Sequence, residues 1–345
     1  MTFRRWLTII TLALLAVVIY FSWPELQKAW GLLGSVNLWI LLLVIPVQLF
    51  SYYATGGMIF SYLRSKGNLK DASHLQLTRM ALELSFVNHI IPSGGAAGFS
   101  YLGWILNRFG VSPGRATMSQ VVRFTLTFIS FVLLLVVAVF WLLIDHNIDR
   151  TILLLCGMLA VIAIGGTGFI IYIISNHQSQ LRFSAAMTKI INRIGRFFTR
   201  GKRKRILKPN LLENFFSEVR QDYLEIRRDI RILVKPFIWA ILGNISDVAL
   251  IFIAFWSLGI VVNPAAVFVA YGLSSLAGAF TATPGGAGVY EAIMIAFLAS
   301  AGVPANAAIA GTILARVTLV GGTVVFGYVF YQLTINKYGK PTQRQ

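Results

Sequence analysis

Acid is scarce in this chain of 345 residues. It has 12 Asp and Glu against 30 Lys and Arg, and only 12% of it is charged. No acid lies between Arg150 and Leu212, and from Asp247 to Arg316 the only charge in between is Glu291. Cysteine is nearly absent too. Cys156 stands alone inside an apolar run, which excludes an internal disulfide and a thiolate metal cluster. The four histidines, His74, His89, His146 and His177, are scattered without ligand spacing, so neither a metal site nor another cofactor is expected. No Walker motif is present. "GGTG" at 165–168 lies in an apolar run with no βαβ pattern after it, so it is no dinucleotide fingerprint. The basic stretch 176–234 is too short for a nucleotide-binding or acyltransferase domain. ATP-driven pumping by this chain alone is therefore not expected.

What fills the chain is apolar surface. Hydrophobic residues make up 57% of it, and mean hydropathy is +0.74. That composition is a polytopic membrane protein's. A span needs roughly 20 apolar residues, and six runs qualify: about 5–23, 36–63, 115–144, 151–175, 235–258 and 304–334. The first follows Arg4 and Arg5, and Ser22-Trp23-Pro24 offers no small-x-small cleavage site, so it reads as a retained span. Two further segments are apolar but interrupted: 72–109 at "PSGGAAG" (92–98) and 263–301 at "TPGGAGVYE" (283–291). Each half is too short to cross. Both segments therefore read as re-entrant hairpins, whose irregular tips need protein or a cavity around them.

Net charge is +18. Its distribution points to lipid head groups rather than nucleic acid. The basic loops all fall on one side: Arg4 and Arg5, then Arg64, Lys66 and Lys70, then Arg108 and Arg115, then 176–234, then Lys337, Lys340 and Arg344. Under the positive-inside rule both termini are cytoplasmic, in a cytoplasmic (inner) membrane. That puts the two hairpins on opposite sides. They also resemble each other: "PSGGAAG...RFGVSPGRATMSQVVR" (92–123) parallels "PGGAGVYE...SAGVPANAAIAGTILAR" (284–316). The expectation is one integral membrane domain, 1–345. It would hold a first repeat at 36–144, a basic cytoplasmic amphipathic linker at 176–234, and a second, inverted repeat at 235–334. Inverted repeats place a substrate site near the midplane at their interface. In the linker, 181–200 reads as a basic amphipathic helix for the membrane surface. A second helix is expected from an N-cap at Asn210, with Glu213 three residues on, and an apolar stripe Leu212, Phe215, Phe216, Val219, Tyr223, Ile226 and Ile230.

The hairpin turn near Gly302–Pro304 lies about eleven residues after Glu291 and about twelve before Arg316. At roughly 1.5 Å per residue, both charges sit about 17 Å from the outer end, near mid-bilayer. Each alone costs roughly 3 kcal/mol on insertion scales, so an ion pair is expected. Gly285, Gly286 and Gly288 let the backbone turn after Pro284 and approach a ligand, and the next helix would aim free amides into the midplane. Pro92, Gly94, Gly95 and Gly98 would do the same from the other side. With Arg123 and Arg316 these two N-termini form a candidate anion site suited to a phosphate. Arg123 has no acid of its own, since Phe99 and Ser100 stand where Glu291 stands in the second repeat. Glu83 could substitute, but Arg79 is one turn away. Asp247 and Asn244 are a further polar pair in apolar surroundings. Glu291 can pair and cap, or work on substrate or proton.

"NHIIPSGGAAG", "GVSPGRA" with Arg123, "TPGGAGVYEA" and "GVPANAA" with Arg316 resemble the two motifs of the membrane domain of lysylphosphatidylglycerol synthases and their stand-alone, flippase-like relatives. The resemblance covers roughly 35–335. Pro284, Gly285, Gly286, Gly288, Glu291 and Arg316 match the second motif; Pro92, Gly98 and Arg123 match the first. Family members often carry an acid and an arginine after that first Gly and an acid beside the later arginine. Here Phe99 onward and Val122 occupy those places. The resemblance implies an all-α membrane protein that translocates lipid between leaflets. Nothing follows the last span up to Gln345, so lysyl transfer is not expected. The leading expectation is a translocator of an anionic phospholipid or polyprenyl phosphate. A membrane-embedded enzyme or accessory subunit in lipid-linked glycan or phospholipid modification is the alternative, and a small-solute transporter is a third. A second copy of the chain and a glycosyltransferase are the protein partners left open.

Overall fold

The computed structural model describes residues 33–91, 96–144, 150–176, 178, 209–279, 281 and 283–338, with Tyr20, Gln27 and Gly31 apart from them. The expected first span, the helix at 181–200 and the break residues Pro92, Gly94 and Gly95 lie outside the described residues.

Apolar runs become helices because a lipid-facing backbone must bond to itself. After a 3₁₀ turn at Leu33–Ser35 come α1 (Leu38–Leu41), α2 (Val44–Ser65), α3 (His74–Ile90), α4 (Ala96–Arg108), α5 (Pro113–Ile144) and α6 (Arg150–Ser175). Then follow α7 (Pro209–Arg228), α8 (Val234–Ser257), α9 (Pro264–Ala279), α10 (Val289–Ser300) and α11 (Ala305–Tyr338). Among the described residues five stretches are long and apolar enough to cross a membrane: Leu38–Ser65, Pro113–Ile144, Ile152–Ser175, Ile230–Ser257 and Ala305–Tyr338. These correspond to five of the six expected spans, and the protein is an all-helical, multi-pass membrane protein. The arms of the two hairpins, α3 with α4 and α9 with α10, are each too short to cross, as their Pro and Gly breaks imply.

The same turn chemistry recurs in both halves. Gly110 and Gly302 have positive φ (77° and 89°). Behind each, a valine amide reaches back across the helix end: Val111 to the Leu106 carbonyl at 3.1 Å and Val303 to Leu298 at 3.0 Å. This is the glycine C-cap that ends a helix while satisfying its last carbonyls. Ser73 caps α3 (Gln76 N–H to Ser73 Oγ, 3.2 Å), and Asn263 caps α9 (Ala265 N–H to Asn263 Oδ1, 2.9 Å).

Helix α11 shows how the hairpins are placed. Eleven residues on from its start at Ala305, Arg316 meets Glu291 of α10. Near its end Arg79 of α3 donates to the Phe330 carbonyl at 2.9 Å, and Phe86 packs on Tyr328 and Tyr331. The hairpins thus approach from opposite ends of one long span. Helix α5 is shared likewise: Phe124 stacks on Phe99 of α4, and further along Phe131 stacks on Phe268 of α9 at 4.8 Å. Helices α2 and α8 form the most extensive contact of any helix pair among the described residues.

Helix α7 begins at Pro209, so Asn210 lies inside the helix and is not its cap. Proline is suited to the first helical position because the amide it lacks would be unbonded there. Val219 and Ile226 of the expected stripe are buried and Tyr223 is partly so. Ile230 is not in the stripe: the helix stops at Arg228, Asp229 caps the next 3₁₀ turn, and Ile230 is exposed.

Candidate functional site

Where the end of α3 meets the turn of the second hairpin there is a cavity of about 460 Å³. Its walls come from α2, α3, α5, α8, α9, α10 and α11, with the Pro284–Gly286 turn. Of the residues singled out from sequence, Arg123, Arg316, Asp247, Gly285 and Gly286 line it. Glu291 and Gly288 are not among its lining residues, and Gly98 serves packing. A Cβ on Gly98 would overlap the Asn88 carboxamide, so glycine there lets α4 lie against α3.

The expected ion pair is present. Arg316 Nε lies 2.7 Å from Glu291 Oε1, and both side chains are nearly excluded from solvent. Glu291 does more than pair. Its Oε2 accepts the Gly288 amide at 2.6 Å, which occupies a free N–H of α10 and places a negative charge at the positive helix end. The bare amide anion site expected at α10 is therefore closed at Gly288 by the chain's own carboxylate. Arg316 in turn donates from Nη2 to the Gly285 carbonyl and lies over the Tyr290 ring, 4.6 Å from its centroid. One arginine fastens the break, the following helix and α11 together.

The break can fold this tightly because of glycine. Gly286 has φ +77°, and a Cβ there would come within 2.7 Å of the Gly278 backbone. The first hairpin closes on the same point. Beside Gly285 lies His89, whose Cδ2 would be 3.3 Å from a Cβ on that glycine. His89 Nδ1 lies 2.8 Å from the Ser85 carbonyl. A carbonyl can only accept, so Nδ1 carries the proton and Nε2 is left as an acceptor.

Arg123 is in a different position. It donates from Nε to Gln120 at 2.9 Å and its guanidinium lies 4.2 Å from the Phe124 ring centroid. Among the described residues no carboxylate pairs with it. Glu83 does not substitute: it is fully buried, takes Arg79 Nε at 2.8 Å and Thr334 Oγ1 at 2.6 Å, and accepts from Tyr101. Arg79 holds Glu83, and together they tie α3 to α11.

Other polar residues in or beside the cavity stand out in the sequence only as polar groups in apolar runs. Asp247 accepts from Ser51 Oγ at 2.7 Å and Tyr271 OH at 2.8 Å. Both donors are neutral, so the carboxylate faces the cavity without a cation partner among the described residues. Its companion Asn244 bonds Ser130 Oγ at 2.7 Å and the Thr127 carbonyl at 3.1 Å, pinning α8 to α5. Gln48 crosses to α11, donating to the Leu319 carbonyl at 2.8 Å. Gln48 and His89 are polar residues in apolar runs, which is a signal, but only the folded chain shows which neighbours they meet.

No curated protein matches the chain. The family model described as the lysylphosphatidylglycerol synthase TM region matches residues 8–327, a range that includes both hairpins and every cavity residue named above. The chain belongs to that family of membrane proteins, whose subject is lipid.

Proposed function

We propose that this protein translocates an anionic or phosphate-linked lipid between the leaflets of the cytoplasmic membrane. The observation that carries this reading is Arg123, a cation without a carboxylate among the described residues, in the wall of a cavity between the end of α3 and the turn of the second hairpin. A partly buried guanidinium with open N–H groups gains most from an oxyanion, and the phosphate of a phospholipid or a polyprenyl phosphate offers one. Arg316 supplies a second positive edge, but Glu291 already compensates it, so its work is to hold the break in place. The segments 36–144 and 235–334 act as inverted repeats around this site. Rocking one against the other would open the cavity to each side in turn. On the positive-inside rule, the basic loops support cytoplasmic termini.

Reconstitution in liposomes with fluorescent phosphatidylglycerol and, separately, a fluorescent polyprenyl phosphate tests it. Transfer to the outer leaflet should exceed that of protein-free vesicles for at least one of them and fall with Arg123→Gln. Rates equal to empty vesicles for both would sink the idea.

Asp247 supports a second reading, a membrane-embedded enzyme or accessory subunit of lipid modification, because an acid held by two neutral hydroxyls faces the same cavity. On that reading Asp247→Asn abolishes a lipid product and leaves transfer between leaflets intact.

A further inference from the structure

A second cavity, about 400 Å³, lies away from the central one between α2, α3 and the start of α8. Its lining includes Arg64, Lys235 and His74 and no acidic residue. Arg64 is in the last turn of the span Leu38–Ser65, and Lys235 is in the opening turns of the span Ile230–Ser257. Both cations therefore stand where a span leaves the hydrocarbon and meets head groups.

The two cations are prepared differently. Arg64 donates from Nη2 to the Ala72 carbonyl at 2.6 Å and from Nε to Leu69 at 3.4 Å. These bonds fix the guanidinium and leave Nη1 without a protein partner among the described residues. Lys235 is exposed and makes no ion pair among them. A fixed guanidinium edge beside an exposed point charge suits a phosphate diester, whose single negative charge is shared by two oxygens.

Below the cations the cavity turns apolar and aromatic. Trp239 lies across Gly57, where a Cβ would come within 2.6 Å of the indole. Tyr53 meets the Trp239 ring edge-on at 5.0 Å and its hydroxyl is 3.1 Å from His74 Nδ1. Phe50 and Ile238, next to this wall, are exposed on the apolar face of the spans. A ligand with a charged head and an apolar tail would fill both parts, the phosphate on Arg64 and Lys235 and a chain along Trp239. Indole and phenol rings favour this interfacial depth.

We infer that the cavity between α2, α3 and α8 is a second lipid site, separate from the central cavity, that holds an anionic phospholipid by its phosphate. Nothing in it depends on whether the central cavity translocates lipid.

The test uses the full-length protein in phosphatidylcholine nanodiscs doped with photoactivatable phosphatidylglycerol, with adducts mapped by peptide mass spectrometry. Adducts are expected on the peptides carrying Tyr53–Ser65 and Lys235–Trp239. They should be competed by unlabelled phosphatidylglycerol and reduced about tenfold by Lys235→Gln. Arg64→Gln should act the same way; because it also frees two loop carbonyls, Lys235→Gln, on an exposed side chain, is the decisive variant. Arg123→Gln, in the central cavity, should leave these adducts unchanged. Equal labelling by photoactivatable phosphatidylcholine, unaffected by Lys235→Gln, would show ordinary surrounding lipid and overturn the inference. Competition by inorganic phosphate as effective as that by phosphatidylglycerol would also overturn it, in favour of a free-anion site.

Discussion

Glu291 holds two groups at once: Arg316 of α11 at 2.7 Å through one oxygen and the Gly288 amide at 2.6 Å through the other. Pairing and capping are therefore one arrangement. Losing one partner of a buried ion pair costs about 3–5 kcal/mol, so Glu291→Ala and Arg316→Ala should each lower the melting temperature in detergent strongly. The double reversal, Glu291→Arg with Arg316→Glu, restores the pair but not the cap, nor the bond from Arg316 to the Gly285 carbonyl. It should recover only part of the loss. A double reversal no more stable than the single ones would show that the pair contributes nothing.

Arg123 predicts the opposite pattern. Its bonds within the protein are few, so Arg123→Gln should shift the melting temperature little. A charge-assisted hydrogen bond is worth about 1.5–3 kcal/mol, so transfer of a phosphate-bearing lipid should slow by roughly tenfold or more. Arg123→Lys keeps the charge but not the fork and should fall between them. Unchanged transfer in Arg123→Gln would remove this residue from the site.

Gly286 and Gly288 separate two uses of glycine. Both have positive φ, 77° and 89°, so an alanine at either carries backbone strain of about 1–3 kcal/mol. At Gly288 a Cβ meets nothing within 4 Å, whereas at Gly286 it strikes Gly278. Gly286→Ala should therefore destabilise clearly more than Gly288→Ala, and it should also distort the cavity, since Gly278 lines it. Equal melting temperatures for the two variants would mean the tip is looser than its geometry indicates.

Much of the spanning pattern could be read from residues because lipid enforces it: an apolar run long enough to cross becomes a helix, and a Pro-Gly-Gly break stops one. The Glu291–Arg316 contact was legible for a similar reason, since two isolated charges equidistant from a turn have little else to bond. Asp247 was visible as an anomaly but not as a cavity residue, because Ser51 and Tyr271 are brought to it from other helices. His89 was passed over because a lone histidine says nothing until the second hairpin arrives beside it. The linker was read by its apolar stripe, while its docking is written in its polar face, where sequence separation hides the partners.

That polar face supports the last prediction. Asp222 of α7, almost fully buried, accepts from Tyr62 OH at 2.9 Å and pairs with Arg115 at 3.3 Å. One turn either side, Glu218 accepts the Gly114 amide at 3.0 Å and Glu225 pairs with Lys66 at 2.5 Å. The three acids fasten α7 across the ends of α2 and α5. Its bond to Lys66 holds the Glu225 carboxyl below the ordinary glutamate value. A folded-state value that is depressed adds stability above the unfolded value, and that stability is lost as pH falls through the folded one. Docking should therefore be complete at neutral pH and weaken only below the usual glutamate range of about 4. Asp222→Asn removes the buried charge opposite Arg115 and leaves Tyr62 an acceptor. Hydrogen exchange at neutral pH should then rise at least tenfold across 217–228 and change little in α8. Glu225→Gln, at the more exposed end, should have a smaller effect. If exchange in α7 matches wild type in Asp222→Asn, apolar contacts such as Val219 and Ile226 hold the helix, and the acids only orient it.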